Sequence, residues 1–281
     1  ETYAAIETRF EELGGQLTAE EEAQADSYAS QLMEQYGDTY KANGIGLNTV
    51  QRFERILIKS SDLLELVYGV DGETPVSDAD LTSHLENNMY ELAYYTIPLY
   101  NTGTYAFADD DQTTEMLNLA QSAIDDVNSY AATLADLSDS TNSSMLMGAF
   151  SGVVTSALPD IYKVLDSTYS SDSDAPSLEL IGDSTVTSAF TAEGAADTVR
   201  SLSIGQATAL KYNGYAMMAV LRLDPLSLNS LDNLRGQVLN DMKGEELSEA
   251  LTAYGASLEH NLNSSAMNRM PASKIVNSST N

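Results

Sequence analysis

Residues 205–223, GQATALKYNGYAMMAVLRL, constrain the fold of this chain more than any other stretch. They read as strand, tight turn, strand. Thr208, Leu210 and Tyr212 alternate along one side, as the side chains of a pleated strand do, and Asn213-Gly214 supplies residues suited to positive φ in a two-residue turn. Residues 215–223 are almost continuously apolar, the pattern of a strand covered on both faces. Such a strand needs helices to cover it. Amphipathic helical patterns fill most of residues 1–90 and resume after Asp224-Pro225. The expected class is therefore α+β, with one small sheet between two helical segments.

The rest of the chain fills in this outline. Residues 1–13 form an amphipathic helix pattern stopped by Gly14-Gly15. Thr18-Ala-Glu-Glu21 is a capping box that opens a second helix, with Tyr28, Leu32, Met33 and Tyr36 as apolar positions and Tyr36-Gly37 as its end. Residues 47–68 carry Val50, Phe53, Leu57, Leu64 and Val67 near helical spacing, and residues 77–80 cap a short helix reaching about Asn88. Residues 90–99 read as the first strand, followed by a loop and a helix from about Asp111 with Ala120, Ile124 and Val127 on its stripe. Residues 142–168 are apolar and helical, with Pro159 interrupting or starting a segment, and residues 167–177 are a Ser/Asp-rich linker. A short strand is expected at 177–181 and a short helix at 192–202. Leu234, Val238, Leu247 and Leu251 mark a long final helix, interrupted near Gly244. No run approaches the length of a membrane span.

Composition removes several function classes. The formal charge is −29, and no Lys or Arg occurs between Ser60 and Tyr162. Such a surface repels phosphate backbones and anionic lipid, so no nucleic-acid partner is expected. It suits a soluble exterior, and secondarily cationic clients or Ca²⁺. Cysteine is absent, which excludes disulfides, thiolate metal sites and a Cys nucleophile. His84 and His260 are the two histidines, each in a polar helical context, leaving little material for a triad or a His-based metal site. Asp109-Asp-Asp111 lacks the glycine and distant glutamate of an EF-hand and reads as helix capping. No cofactor and no metal are expected.

Leu202, then Gly205-Gln206-Ala207-Thr208, then Gly214-Tyr215-Ala216 and the apolar residues 217–220 resemble the end of a parvulin-type peptidyl-prolyl isomerase domain. That family reads Leu, a short gap, Gly-Glu-x-Ser, then Gly-Tyr-His and an apolar strand. The order of elements over most of the 281 residues is similar to the extracytoplasmic foldases, in which a parvulin domain is inserted into a helical chaperone domain. The resemblance implies a discontinuous helical chaperone-like domain from residues 1–89 and 224–281. It implies an inserted parvulin-like sheet domain at 90–223, with an additional helical insertion at about 142–168. It also implies an extracytoplasmic, cell-surface protein, anchored through a lipid on an N-terminus that this sequence does not carry, with unfolded or exported polypeptides as clients.

Parvulins lower the barrier of about 18–20 kcal/mol for rotation about an amide bond. They use an apolar slot for the proline ring and a small polar network, usually two His and a Cys or Asp. At the matching positions this chain has Thr96 where the first His precedes Ile-Leu, and Ala216 where the second follows Gly-Tyr. The slot's Met and Phe fall at about Thr191 and Ala195. The resemblance thus implies a degenerate site at Thr96 and Ala216, with peptide contacts from Tyr95, Thr96, Tyr212, Tyr215 and Met217. The expected function is holding or folding assistance, isomerase activity having been lost, with a client's apolar segment buried transiently between the lobes. The rivals are an active isomerase using an atypical Thr/Tyr network, Tyr94 among its candidates, and a non-catalytic surface lipoprotein that binds a small ligand.

Overall fold

The structure, a computed structural model, describes residues 1–169, 175–259, 264–269 and 272–276. His260, residues 170–174 of the Ser/Asp-rich stretch and parts of the tail lie outside them. The chain runs α1 (Thr2–Glu12), α2 (Ala19–Ala42), α3 (Leu47–Tyr68), α4 (Asp78–Asn88), β1 (Met89–Pro98), α5 (Asp110–Ala131), α6 (Ser140–Lys163), β2 (Ser177–Gly182), α7 (Asp183–Ala189), α8 (Ala195–Ser201), β3 (Ala207–Lys211), β4 (Ala216–Leu223), α9 (Pro225–Leu228), α10 (Leu231–Ser257) and α11 (Ser264–Arg269). This is an α+β protein. It divides into two compact units, Glu1–Ser77 with Gly236–Asn281, and Asp78–Arg235. The breaks fall before α4 and inside α10, not at residues 89/90 and 223/224. Arg235, in the first turns of α10, bonds to Asp78 at the start of α4 at 2.6 Å, so both helix ends belong with the sheet.

In the helical unit, α2 opens with the expected capping box: Thr18 Oγ1 accepts from the Glu21 amide at 3.2 Å, and the Thr18 amide donates to the Glu21 carboxylate at 2.7 Å. Its packed face differs from the one its aromatic residues suggest. Tyr28 and Tyr36 are exposed, and Ala25, Ala29 and Gly37 are buried. Small residues let α2 lie close against α3, with Asp26 and Arg55 joined at 2.7 Å. Gly37 does not end α2, because a glycine inside a helix costs only about 1 kcal/mol against alanine. The stop is Asn43-Gly44, where Gly44 takes φ +74°. Helix α3 buries Val50, Ile56, Leu63, Leu64 and Val67 but turns Phe53 and Leu57 outward. Gly244 likewise leaves α10 unbroken.

The second unit is built on a four-stranded antiparallel sheet of order β2-β1-β4-β3. β4 is interior and buried on both faces, as its apolar run requires. One face carries Ala93, Tyr95, Ile97, Met217, Ala219 and Leu221, and is covered by α5 and α6. The other carries Tyr90, Leu92, Met218 and Val220, with Val186 of α7, Phe190 and Val199 of α8 over it. Helix α5 starts at Asp109, whose carboxylate accepts from the Gln112 amide at 2.8 Å, so capping accounts for the first of the three aspartates.

The β3–β4 connection is not a positive-φ turn: neither Asn213 nor Gly214 is left-handed. Instead the Asn213 side-chain oxygen accepts from the amides of Tyr215 at 2.8 Å and Ala216 at 2.9 Å. Asn acts here through its amide, as in an Asx turn. Pro159 does not interrupt α6 either. It lies on the exposed side, where water can take the carbonyl left without a helical donor. At 24 residues, α6 is also long and apolar enough by length and composition to cross a membrane, contrary to the reading of the bare sequence. In the fold its stripe Leu146, Phe150, Val154, Leu158 and Ile161 lies in the core on the sheet.

Gly205 is where a glycine is required. It has φ +82°, and a Cβ there would lie 2.4 Å from Leu137 Cδ1. Gly205→Ala is expected to destabilise the protein by about 2 kcal/mol, combining left-handed strain with overpacking. A urea midpoint unchanged from wild type would contradict this.

Candidate functional site: a slot on one face of the sheet

Strand parity decides which predicted residues can meet. Thr96 pairs with Met218 and Pro98 with Ala216, so Thr96 and Ala216 share the face under α7 and α8, diagonally across β1 and β4. Tyr95 and Met217 project to the opposite face. Tyr95 is 7% exposed and Met217 is fully buried, and the Tyr95 hydroxyl lies 2.8 Å from Ser151 Oγ on α6. They are core residues and cannot touch a peptide held over Thr96. Tyr215 sits exposed in the β3–β4 connection. The five residues expected to contact peptide are therefore split among two faces and a loop.

The Thr96 face holds a cavity of about 140 Å³. Its floor is Leu92, Ile181 and Met218 of the sheet, and its walls are Ala189, Phe190 and Tyr212. Phe190 meets Tyr212 edge to face, with centroids 5.1 Å apart. At the rim the Tyr94 hydroxyl donates to Glu179 at 3.0 Å. Burial, and then the neighbouring carboxylate, push the Tyr94 hydroxyl above its usual value, so it remains a donor at neutral pH. Thr96 is exposed on the same face but does not line the cavity, and Ala216 contributes no polar group.

A charged network beside the slot holds α7 and α8 together. Arg200 of α8 donates to Asp183 through Nε at 2.6 Å and through Nη2 at 3.2 Å, and to Thr187 of α7 at 2.6 Å. The hydrogen bond from Arg200 holds the Asp183 carboxyl below its usual range. Behind it, Arg222 lies 4.7 Å from the Tyr90 ring centroid and donates to the Leu202 carbonyl at 2.7 Å. Burial lowers the Arg222 guanidinium.

Most of the slot's lining lay outside the sequence reading, Phe190, Met218 and Glu179 among it. Phe190 lies one residue before Thr191, the position reached by counting. Met218 replaces Met217 through a single step of parity. Glu179 sits on an edge strand whose register only the sheet defines. His84 is half-buried on α4.

The fold and site together define an α+β protein whose small antiparallel sheet carries an apolar side-chain slot with a hydroxyl–carboxylate rim. No protein-family model and no curated protein sequence matches the chain. Among solved structures it is similar to the foldase protein PrsA from Streptococcus pneumoniae, at 12% identity over 93% of this chain and 85% of that one, with a TM-score of 0.46. It is also similar to PrsA from Bacillus subtilis, at 12% identity over 96% and 86% of the two chains, with a TM-score of 0.33. Superpositions this loose leave the site to be argued from its own residues.

Proposed function

We propose that the protein is a foldase-like binder of unfolded or exported polypeptides, acting outside the cytoplasm on a membrane-anchored chain, without isomerase catalysis. The observation that carries this reading is the slot. A cavity of about 140 Å³ walled by Phe190, Met218, Ile181 and Leu92 takes one apolar side chain or proline ring. Sites for free small ligands run to about 300–1,000 Å³, so its size disfavours the small-ligand alternative. The absence of catalysis is argued from Ala216, which brings no polar group, and from Thr96, whose hydroxyl lies outside the cavity. The acidic surface keeps a loaded complex dispersed.

Two measurements on one sample test this. Suppression of aggregation of an unfolded test protein is expected, and Phe190→Ala should weaken it severalfold. Cis/trans exchange of a proline peptide is expected to stay near background. Exchange well above background that disappears in Thr96→Val or Tyr94→Phe would establish the isomerase reading instead. No effect on aggregation would remove the binder reading.

A further inference from the structure

Four aromatic side chains form a continuous ladder at one end of the sheet, apart from the slot. Tyr105 stacks on Tyr100 with centroids 6.2 Å apart, Tyr100 meets Phe107 at 5.9 Å, and Phe107 meets Tyr215 at 5.8 Å. Tyr105, Phe107 and Tyr215 are 74%, 58% and 65% exposed. Single exposed aromatics are ordinary on a protein surface, but a contiguous row marks an interaction surface. The row is built into the fold. Asn101 accepts the Gly103 and Thr104 amides at 2.8 and 2.9 Å and donates to the Leu165 carbonyl at 2.7 Å. The Tyr215 carbonyl accepts from the Leu99 amide at 2.8 Å. Tyr105 is held at φ 59°, a left-handed conformation that tyrosine rarely adopts.

Charge selects the partner. Asp109, Asp110 and Asp111 follow Phe107 within four residues, and Asp166 is tied to the same loop through its carbonyl. Lys163 and Lys211 are the cations of the adjoining segments. Aromatic rings carried by a carboxylate-rich segment of a strongly acidic chain suit guanidinium groups, which stack on rings and are drawn by the acidic field. We propose that the ladder Tyr100–Tyr105–Phe107–Tyr215 is a docking surface for arginine-bearing extended polypeptide segments. It goes beyond the slot, which takes an apolar side chain, and names a substrate class for a second surface.

The test uses the full chain and a labelled eight-residue peptide of alternating Arg and Ala, with a Lys/Ala peptide of the same charge and a neutral oligosaccharide alongside. The variant Tyr105→Asn/Phe107→Ser/Tyr215→Ser removes three rings without changing net charge, and Asn tolerates the left-handed backbone at 105. Anisotropy titrations are expected to show the Arg peptide binding several-fold tighter than the Lys peptide. The variant should bind it at least tenfold more weakly, while Phe190→Ala binds as wild type. Equal affinity for both peptides, or no change in the variant, means attraction to the acidic surface at large and overturns the proposal. So does oligosaccharide binding that is lost in the variant while peptide binding is not. If the triple variant changes its far-ultraviolet circular dichroism, Phe107→Ser alone is used, with about threefold weakening expected and none overturning. Failure of the ladder with Phe190-dependent binding intact would leave the slot reading standing, and the reverse pattern would remove only the slot.

Discussion

Replacing Phe150 with alanine is expected to cost about 3–5 kcal/mol of stability. Phe150 is fully buried at the centre of the α6 stripe, with its ring 6.0 Å from that of Tyr95 on β1. The lost transfer energy adds to that of a cavity between helix and sheet, which collapse can fill only partly. Tyr95 cannot swing far into the gap while its hydroxyl is engaged with Ser151. The control is Met145→Ala on the same helix. Met145 is 50% exposed, and its loss should stay within about 0.5 kcal/mol. Urea unfolding measures both. A loss at Phe150 below about 1.5 kcal/mol would mean that α6 does not cover the sheet as described. The same strand sends Leu92 and Tyr94 to the slot, so a repacked core should also weaken the binding proposed there.

Glu91→Leu is expected to stabilise the protein by about 3 kcal/mol at pH 8, and much less at pH 4. Glu91 is 3% exposed, stands between Leu180 and Leu223 in the sheet, and leaves its Oε2 without a hydrogen-bond partner. Burial pushes its carboxyl from 4.5 up to about 7. Such a displacement corresponds to about 3 kcal/mol. Below pH 4.5 the group is protonated in folded and unfolded chains alike, and carries no ionisation penalty. Between 4.5 and 7 the unfolded chain gives up the proton while the folded one keeps it, so stability falls as pH rises. Above 7 the whole penalty is present. Glu7 and Asp183 act in the opposite sense, because hydrogen bonds from Arg52 and Arg200 hold them below their usual range and their stabilisation is lost on acidification. Both are common to wild type and variant and cancel in the difference. Paired denaturation curves from pH 4 to 8 read that difference directly, and a gain that stays flat with pH would show that the Glu91 carboxyl is not desolvated.

Local chemistry made much of this protein legible in its sequence. The capping box at Thr18, the alternation at Thr208 and Leu210, and the unbroken apolar run of β4 each depend on neighbours a few residues away. The α+β class follows from them. Two of the local signals that pointed wrongly did so because two physical solutions share one sequence pattern. Asn213-Gly214 suits a positive-φ turn, yet the Asn213 side chain holds the corner with an ordinary backbone. Gly37 suits a helix end, yet the helix runs on through it to Ala42.

The sequence by itself determined most of the strands and helices, because period and capping are set within one or two turns of chain; the seven-residue helix α7, too short to show a period, was not among them. Only the tertiary structure decided the face of each strand and the partners across it. A step of one residue separates Met217, locked under α6, from Met218 in the slot. The slot joins Leu92, Glu179, Phe190, Tyr212 and Met218 from five separate stretches, and their meeting depends on sheet register and on long-range burial that no local pattern encodes.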